Sequence, residues 1–441
     1  MKLLNSQIEE NILLLLTDAG RLKIEPVSPQ IMRVVYTRNE AFRTTPSLMM
    51  LPRSSALSTE WTVNEDHQAI RLVTPQLQLV VQKATGAITW LDNMGKLLLR
   101  EPEKGGKTID PDGDRAARLE LVFAPGEAIY GLGQHEEGIL NYRGHSQYLY
   151  QHNLKVAIPQ IVSTRGYAIL WDTGSFSTFH DDVYGTYFWS EHCEELDFYF
   201  IYGPEFEQIV AGFRALTGQV PLLPRWAYGY IQSKERYVDQ EELIAVVREY
   251  RARGLPLDAI VQDWQSWPGD WWGQKTLDPV RFPDPAGLVE KLHTLDVRLM
   301  ISVWPRFQND GPDQLEMREH GFLLGDGMTY NAFDPAARAL YWQQAFDGLF
   351  KYGIDAWWCD ASEPFEPDWH GMGRPEPWQR AVTNTEYAKT YLDPARINAY
   401  SLLHSQGMYE GQRSVCQGKR VVNLTRSYFP GQQRYGTITW S

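Results

Sequence analysis

The sequence predicts a multidomain protein: an N-terminal antiparallel β-sandwich over residues 1–215, then a (β/α)8 TIM-type barrel over residues 216–441 that is incomplete, with about six strands present. Three observations carry this. The first half alternates apolar and polar residues in short runs punctuated by turns. The character changes around Pro221-Leu-Leu-Pro224, after which strand-like apolar runs alternate with helical periods. Polar and aromatic residues gather where the later strands end, as they do on the C-terminal rim of a barrel.

In chain order, the runs 69–73, 77–81 and 196–202 read as strands, and Gly86 lies in a turn beside one of them. Together they indicate a sandwich. In the second half, residues 226–231 read as a first barrel strand. A helix follows over 240–253, with Asp239 as N-cap, Leu243, Val246, Val247 and Tyr250 on one face, and Gly254 as its stop. The cycle repeats with strand 257–263, a helix from Pro285, strand 298–304, a helix from Pro335 capped by Asp334, and strand 354–360. Strands 421–426 and 438–440 complete the count, where closure needs eight. The segment 365–386, rich in Pro, Trp and Gly, is expected to be a functional rim loop or a small subdomain.

Composition narrows the function. With 55 acidic against 42 basic residues the net charge is −13, and no block of like charges marks a tail, so neither nucleic acid nor an anionic membrane surface is an expected partner. Cys193, Cys359 and Cys416 are odd in number and lack metal-ligand spacing, which argues against a disulfide framework and against a bound metal. The apolar run 12–16 is too short for a secretion signal and follows Glu9 and Glu10, so a cytoplasmic location is expected. Aromatics make up 13% of residues, with 16 Trp, and their flat faces suit the C–H faces of sugar rings; most of them are nevertheless expected to be core. The expected partner is an oligosaccharide, and self-association stays open.

Asp360 ends the run Ile354-Asp-Ala-Trp-Trp-Cys359, so a buried strand would deliver its carboxylate to the rim, where it is costly unless partnered or used. The same position would serve a helix N-cap, since Ala-Ser-Glu-Pro follows. The neighbouring Trp pair favours a sugar site. Asp263 likewise ends a strand and leads into Trp267-Pro-Gly-Asp-Trp-Trp-Gly273; it could hold a sugar hydroxyl or only brace a loop. Trp304 ends the third strand as a stacking platform or as packing. Arg426 ends the fifth and is expected beside Asp360 in either of two roles, binding a hydroxyl or pairing with it. Glu363 is the nearest second carboxylate, although its spacing reads more naturally as the first turn of a helix.

At these residues the chain resembles glycoside hydrolase family 31. Tyr130-Gly-Leu-Gly-Gln-His135 and Asn141-Tyr-Arg-Gly144 resemble its N-terminal motifs, Leu223-Pro-Arg-Trp-Ala-Tyr-Gly-Tyr230 its barrel entry, Leu277-Asp-Pro-Val-Arg-Phe-Pro-Asp-Pro285 a shared loop, and Trp357-Trp-Cys-Asp-Ala-Ser-Glu-Pro364 its nucleophile block. The resemblance implies a retaining exo-α-glycosidase with Asp360 as nucleophile and Trp358 in the same subsite. Asp263 and Arg426 would hold sugar hydroxyls, with Trp264, Trp304 and Trp440 as walls; no cofactor is implied. Family members carry the general acid/base just after a Trp-x-Gly block, and Tyr435-Gly-Thr-Ile-Thr-Trp-Ser441 stops where Gly-Asp would follow. The expectation is therefore an inactive or weakly active part of a longer enzyme, unless Glu363 or Asp270 substitutes. Within the family an α-xylosidase acting on xyloglucan-type oligosaccharides is expected, because the motifs look like those of bacterial xylosidases and because Trp264 could fill the space of a hexose C6 group. An α-glucosidase or α-glucosyltransferase is the alternative, and a non-catalytic carbohydrate-binding protein the alternative of another class.

Overall fold

A computed structural model describes residues 1–52, 58–111, 115–364 and 376–440. Its N-terminal part holds three antiparallel sheets. The largest has eight strands, with Leu196–Tyr202 paired between Ile31–Thr37 and Tyr167–Trp171. Two five-stranded sheets pack with it around one core that includes Leu79, Trp90, Leu119, Phe179, Phe188 and Phe198. The expected runs emerge as Ala69–Val73, Leu77–Gln82 and Leu196–Tyr202, and Gly86 sits at φ 67° in its turn.

The strand Leu196–Tyr202 explains how the two halves are joined. Successive side chains of a strand point to opposite faces. Phe198 and Phe200 enter the sandwich core, while Tyr199 and Ile201 enter a second core that continues into the barrel. Burial on both faces accounts for its nearly continuous apolar run. A helix not expected from the strand pattern, Phe206–Thr217, covers the outer face with Ile209 and Leu216. Gln151 and Asn398 complete the joint: Gln151 Nε2 donates to the Tyr428 carbonyl at 2.8 Å, and Asn398 Nδ2 to those of Leu149 and Ser175.

The second part is a curled sheet of six parallel strands, an incomplete barrel: Ile231–Gln232, Ala259–Gln262, Arg298–Val303, Ala356–Cys359, Asn423–Thr425 and Thr437–Thr439, each bonded to the next. Helices Gln240–Ala252, Pro285–Thr294, Pro335–Gly348 and Tyr400–Val415 lie between them. Asp239 and Asp334 cap as expected, accepting from Glu242 and Ala336 N–H, and Gly254 stops the first helix at φ 66°. The first strand is a correction: Arg225–Tyr228 forms a 3-10 turn, leaving only Ile231–Gln232 extended. Its cause is local, since the Pro224 carbonyl accepts from Ala227 N–H while Asp258 accepts from Tyr230 N–H, which bends the chain before the ladder begins. Of the segment 365–386, residues 365–375 lie outside the described residues; Pro377–Ala388 is a helix, not loop.

Candidate active site

Side-chain alternation on parallel strands builds the site. Val261, Met300, Ala356 and Leu424 share the cluster inside the curled sheet, with Trp358, Ile438 and Trp440 against it. Two positions further along the same faces stand Asp263, Ser302 with Trp304 beyond it, Trp358 with Asp360 beyond it, and Arg426. The other face of the Ala356–Cys359 strand points away: Trp357 Nε1 donates to Gln412 on the covering helix at 2.9 Å. Six of the seven expected site residues are thus delivered to one end of the sheet by a period of two; Trp264 follows Asp263.

Asp360 is 8% exposed. Its N–H donates to the Val303 carbonyl at 3.0 Å, and its Oδ1 accepts from Ala361 N–H at 2.8 Å. Ala361 lies at φ 51°, in the left-handed region that costs an L-residue about 1 kcal/mol. The described residues 361–364 are not helical, so Asp360 is not an N-cap and Glu363 is not a first-turn residue. The left-handed step instead turns residues 361–364 under the sheet and buries Glu363 at 1% exposure.

There Glu363 Oε1 accepts from Arg426 Nε at 2.9 Å and Nη2 at 2.7 Å, whereas Arg426 Nη1 reaches Asp360 Oδ1 at 3.3 Å. One guanidinium therefore serves two carboxylates, with the shorter bonds to Glu363. Glu363 Oε2 is buried and has no hydrogen-bond partner among the described residues. Burial pushes the Asp360 carboxyl above its ordinary value; Arg426 pulls it back and Glu363 adds to the rise. Burial also opposes the charge of Arg426, but Glu363 and Asp360 outweigh it and hold its pKa high.

Asp263 Oδ1 accepts from Trp264 N–H at 2.7 Å. Its carboxyl is pushed up to about 7, first by burial and further by Asp360 and Glu235, against the Trp264 N–H and the Ser302 hydroxyl. Ser302 Oγ in turn accepts from Trp304 Nε1 at 3.1 Å. Trp272 is the hub of the aromatic wall, with ring centroids 5.1 Å from Trp264, 4.9 Å from Trp304 and 5.8 Å from Trp267. Trp358 and Trp440 form a second pair with ring centroids 4.2 Å apart, and Trp358 Nε1 is buried without a hydrogen-bond partner among the described residues. Arg236 stands 5.0 Å over Trp264 and donates to Gln265.

Sequence reasoning missed Ser302, Trp272, Arg236 and the way Glu363 is used. Counting back two residues from Trp304 would have found Ser302. Trp272 was visible only as one of three Trp in a loop, and nothing local marks the pairing of Glu363 with Arg426.

A curled parallel sheet carrying buried carboxylates, an arginine and facing tryptophans at one end, preceded by an antiparallel sandwich, defines a carbohydrate-active barrel protein. Residues 220–441 match the glycosyl hydrolases family 31 TIM-barrel domain, and residues 21–180 the family's N-terminal galactose mutarotase-like domain; the chain belongs to glycosyl hydrolase family 31. It is 36% identical to an alpha-xylosidase of Saccharolobus solfataricus over 95% of its own length and 57% of that protein's. It is 24% identical to alpha-glucosidase 2 of Bacillus thermoamyloliquefaciens over 96% of its length and 56% of that relative's. The chain thus spans little more than half the length of these relatives. A crystal structure of a family 31 alpha-xylosidase from a soil metagenome, complexed with xylose, superposes with a TM-score of 0.87 at 28% identity, over 99% of this chain and 67% of that one.

Proposed function

We propose that this chain forms the sandwich and nucleophile-bearing barrel portion of a retaining exo-α-glycosidase that releases terminal α-linked sugars, with α-xylose in its pocket. The observation that carries the reading is Asp360, held at a strand end by two backbone hydrogen bonds and only loosely paired with Arg426 at 3.3 Å. A carboxylate fixed in direction but not fully neutralised can attack an anomeric carbon to form a covalent glycosyl-enzyme, which water then hydrolyses. Arg426 and Asp263 hold ring hydroxyls, and the paired tryptophan walls stack on the sugar faces. Retention also needs a second carboxyl group about 5 Å from the first. Glu363 is engaged by Arg426 and Asp263 by the Trp264 N–H, so no described residue is assigned as the general acid/base.

Xylose is favoured over glucose by the 36% identity to an alpha-xylosidase, and Trp264, in contact with Trp272 and Arg236, is the residue we assign to exclude a C6 hydroxymethyl. The test uses 5-fluoro-α-xylosyl fluoride and its glucosyl counterpart, because fluoride departs without a general acid. Mass mapping is expected to find the label on Asp360. Xylose is expected to label faster by about tenfold to a hundredfold, the range one hydroxymethyl clash commands. A label on another residue overturns the nucleophile, and faster labelling by the glucosyl reagent overturns the choice of sugar.

A further inference from the structure

The outward face of an antiparallel sheet that meets solvent is ordinarily polar. In the five-stranded sheet that contains Gly185–Ser190 it is aromatic. Ala117, Leu119, Phe179 and Phe188 point into the core, and the alternate positions bring Tyr148, His180, Tyr187, Trp189 and Arg118 to the outside. The helix Pro377–Ala388 forms the second wall with Trp378, 53% exposed, and among the described residues the two walls enclose a groove of about 310 Å3.

The lining has the chemistry of a neutral, hydroxyl-rich ligand. His180 and Tyr187 lie 4.7 Å apart at a tilt of 32°, and the Arg118 guanidinium sits 3.7 Å over Tyr187. Glu120 is shared between Arg118, whose Nε is 3.3 Å from its Oε1, and Lys104, whose Nζ is 3.1 Å from its Oε2, and among the described residues the buried Arg118 Nε has no hydrogen-bond acceptor. Tyr187 and Trp189 are two residues apart on one strand face, a spacing of about 6.6 Å that is on the scale of one sugar unit. Ring faces interleaved with N–H and O–H donors suit a glycan chain, and among the described residues the lining, mostly aromatic, holds no carboxylate to attract a basic ligand.

The groove is also tied to the catalytic end of the barrel. Its helical wall is the next described element after the Ala356–Cys359 strand, and Tyr391, just beyond that helix, donates from its hydroxyl to the Pro364 carbonyl at 3.0 Å, four residues from Asp360. Lys389 and Glu191, 2.7 Å apart, fix the same helix to the sandwich. A long substrate engaged at the rim is thereby given a second surface on the neighbouring domain.

We propose that this groove is a second carbohydrate-binding site, holding a stretch of neutral polysaccharide outside the pocket of Asp360. The ligand class rests on the glycosidase reading above. The test is affinity electrophoresis of the 441-residue chain in gels containing xyloglucan, with dextran as a second neutral glycan. Retardation by at least one of them is expected. Trp378→Ala and Tyr187→Ser should each weaken it by about tenfold, the cost of losing one well-packed aromatic contact, with the melting temperature unchanged. Asp360→Asn should leave retardation intact. Trp378 projects from the helix surface, so its variant decides the matter alone should Tyr187→Ser fold poorly. Retardation absent for both glycans, or unchanged in the variants, overturns the proposal. So does a change of oligomeric state in Trp378→Ala on size-exclusion chromatography, which would make the face a contact between copies, or displacement of the glycan by a proline-rich peptide, which would make it a peptide groove. Groove-dependent retardation without fluorosugar labelling would remove the catalytic reading and leave this one standing; labelling without retardation would do the reverse.

Discussion

The ends of the strands Ala259–Gln262 and Ala356–Cys359 use one backbone device with two electrostatic outcomes. Each terminates in an aspartate whose Oδ1 accepts from the next residue's N–H, and each then passes through a left-handed residue, Gln265 at φ 57° and Ala361 at φ 51°. The N–H of the next residue fixes one oxygen of each carboxylate, and the left-handed residue, directly after Asp360 and two residues after Asp263, adds a small cost in strain. What differs is the company. Asp360 shares Arg426 with Glu363, whereas Asp263 has a hydroxyl and two like charges near it, and burial leaves its carboxyl at about 7. A carboxylate held beside a guanidinium and one that takes up a proton near neutrality can thus come from similar local chain geometry. The roles are set by side chains far away in sequence.

The hardest way to break this comparison is at Asp360 itself. Asp360→Asn keeps the volume and removes the charge, and fluorosugar labelling is expected to fall on the order of ten-thousandfold or more, as losses of a nucleophile do. Labelling that survives the change would move the nucleophile elsewhere, with Asp263 as the first alternative to map.

Next in size is the cation between the two acids. Arg426→Met leaves Glu363 and Asp360 buried beside each other without their guanidinium, which should destabilise the fold by roughly 3–5 kcal/mol near pH 7. The sign with pH follows from linkage. The Asp360 carboxyl, already raised by burial, would lose the cation that pulls it back and titrate higher still, so the folded state would hold a proton that the unfolded state releases. Stability should fall as pH rises from about 4 and be regained on acidification. Denaturant midpoints at pH 5 and pH 8 would show this; a deficit equal at both would mean that packing, not charge, was lost.

Glu363→Gln sharpens the contrast from the opposite side. Arg426 loses its stronger partner and turns toward Asp360, and the like charge that raises the Asp360 carboxyl disappears. Both changes ionise Asp360 at lower pH, so the acid limb of the labelling rate should move down. The tighter pairing should slow labelling about tenfold, equivalent to about 1.4 kcal/mol. An acid limb that stays in place would show that Glu363 does not influence the charge of Asp360.

These residues also show what the chain pattern discloses and what it conceals. Asp263, Trp304, Asp360 and Arg426 could be found because each ends a buried strand-like run, and such an end marks a rim; Trp358 and Trp440 came only from the family resemblance. The six-strand count and the sandwich followed from the same alternation. Glu363 was misjudged because Asp-Ala-Ser-Glu-Pro offers every local cue of a helix start. A guanidinium 63 residues further along the chain overrides those cues, and no local propensity encodes that partner. The helix Phe206–Thr217 did carry a cue, since Glu205 and Gln208 form a capping box that the strand pattern obscured. The short first strand failed for another reason: Trp226 and Tyr228 have strand propensity, but contacts of Pro224 and Asp258 decide their backbone.

The smallest expected effect tests the other member of the pair. Asp263 has a folded-state carboxyl near 7, well above its ordinary 3.8. Between those values the folded protein keeps a proton that the unfolded chain gives up, so this group lowers stability as pH rises from about 4 to about 7 and levels off above that. Asp263→Asn removes the titration, and the variant should be more stable than the unaltered chain at pH 8 and nearly equal to it at pH 4. Asp263 is only partly enclosed, so water screens the effect and the gain should be about 1 kcal/mol or less. Melting curves at the two pH values measure it. A variant destabilised equally at both would show that the carboxylate, like a structural cap, holds the Trp264 turn together, so that the two strand ends would differ in role more than their electrostatics alone imply.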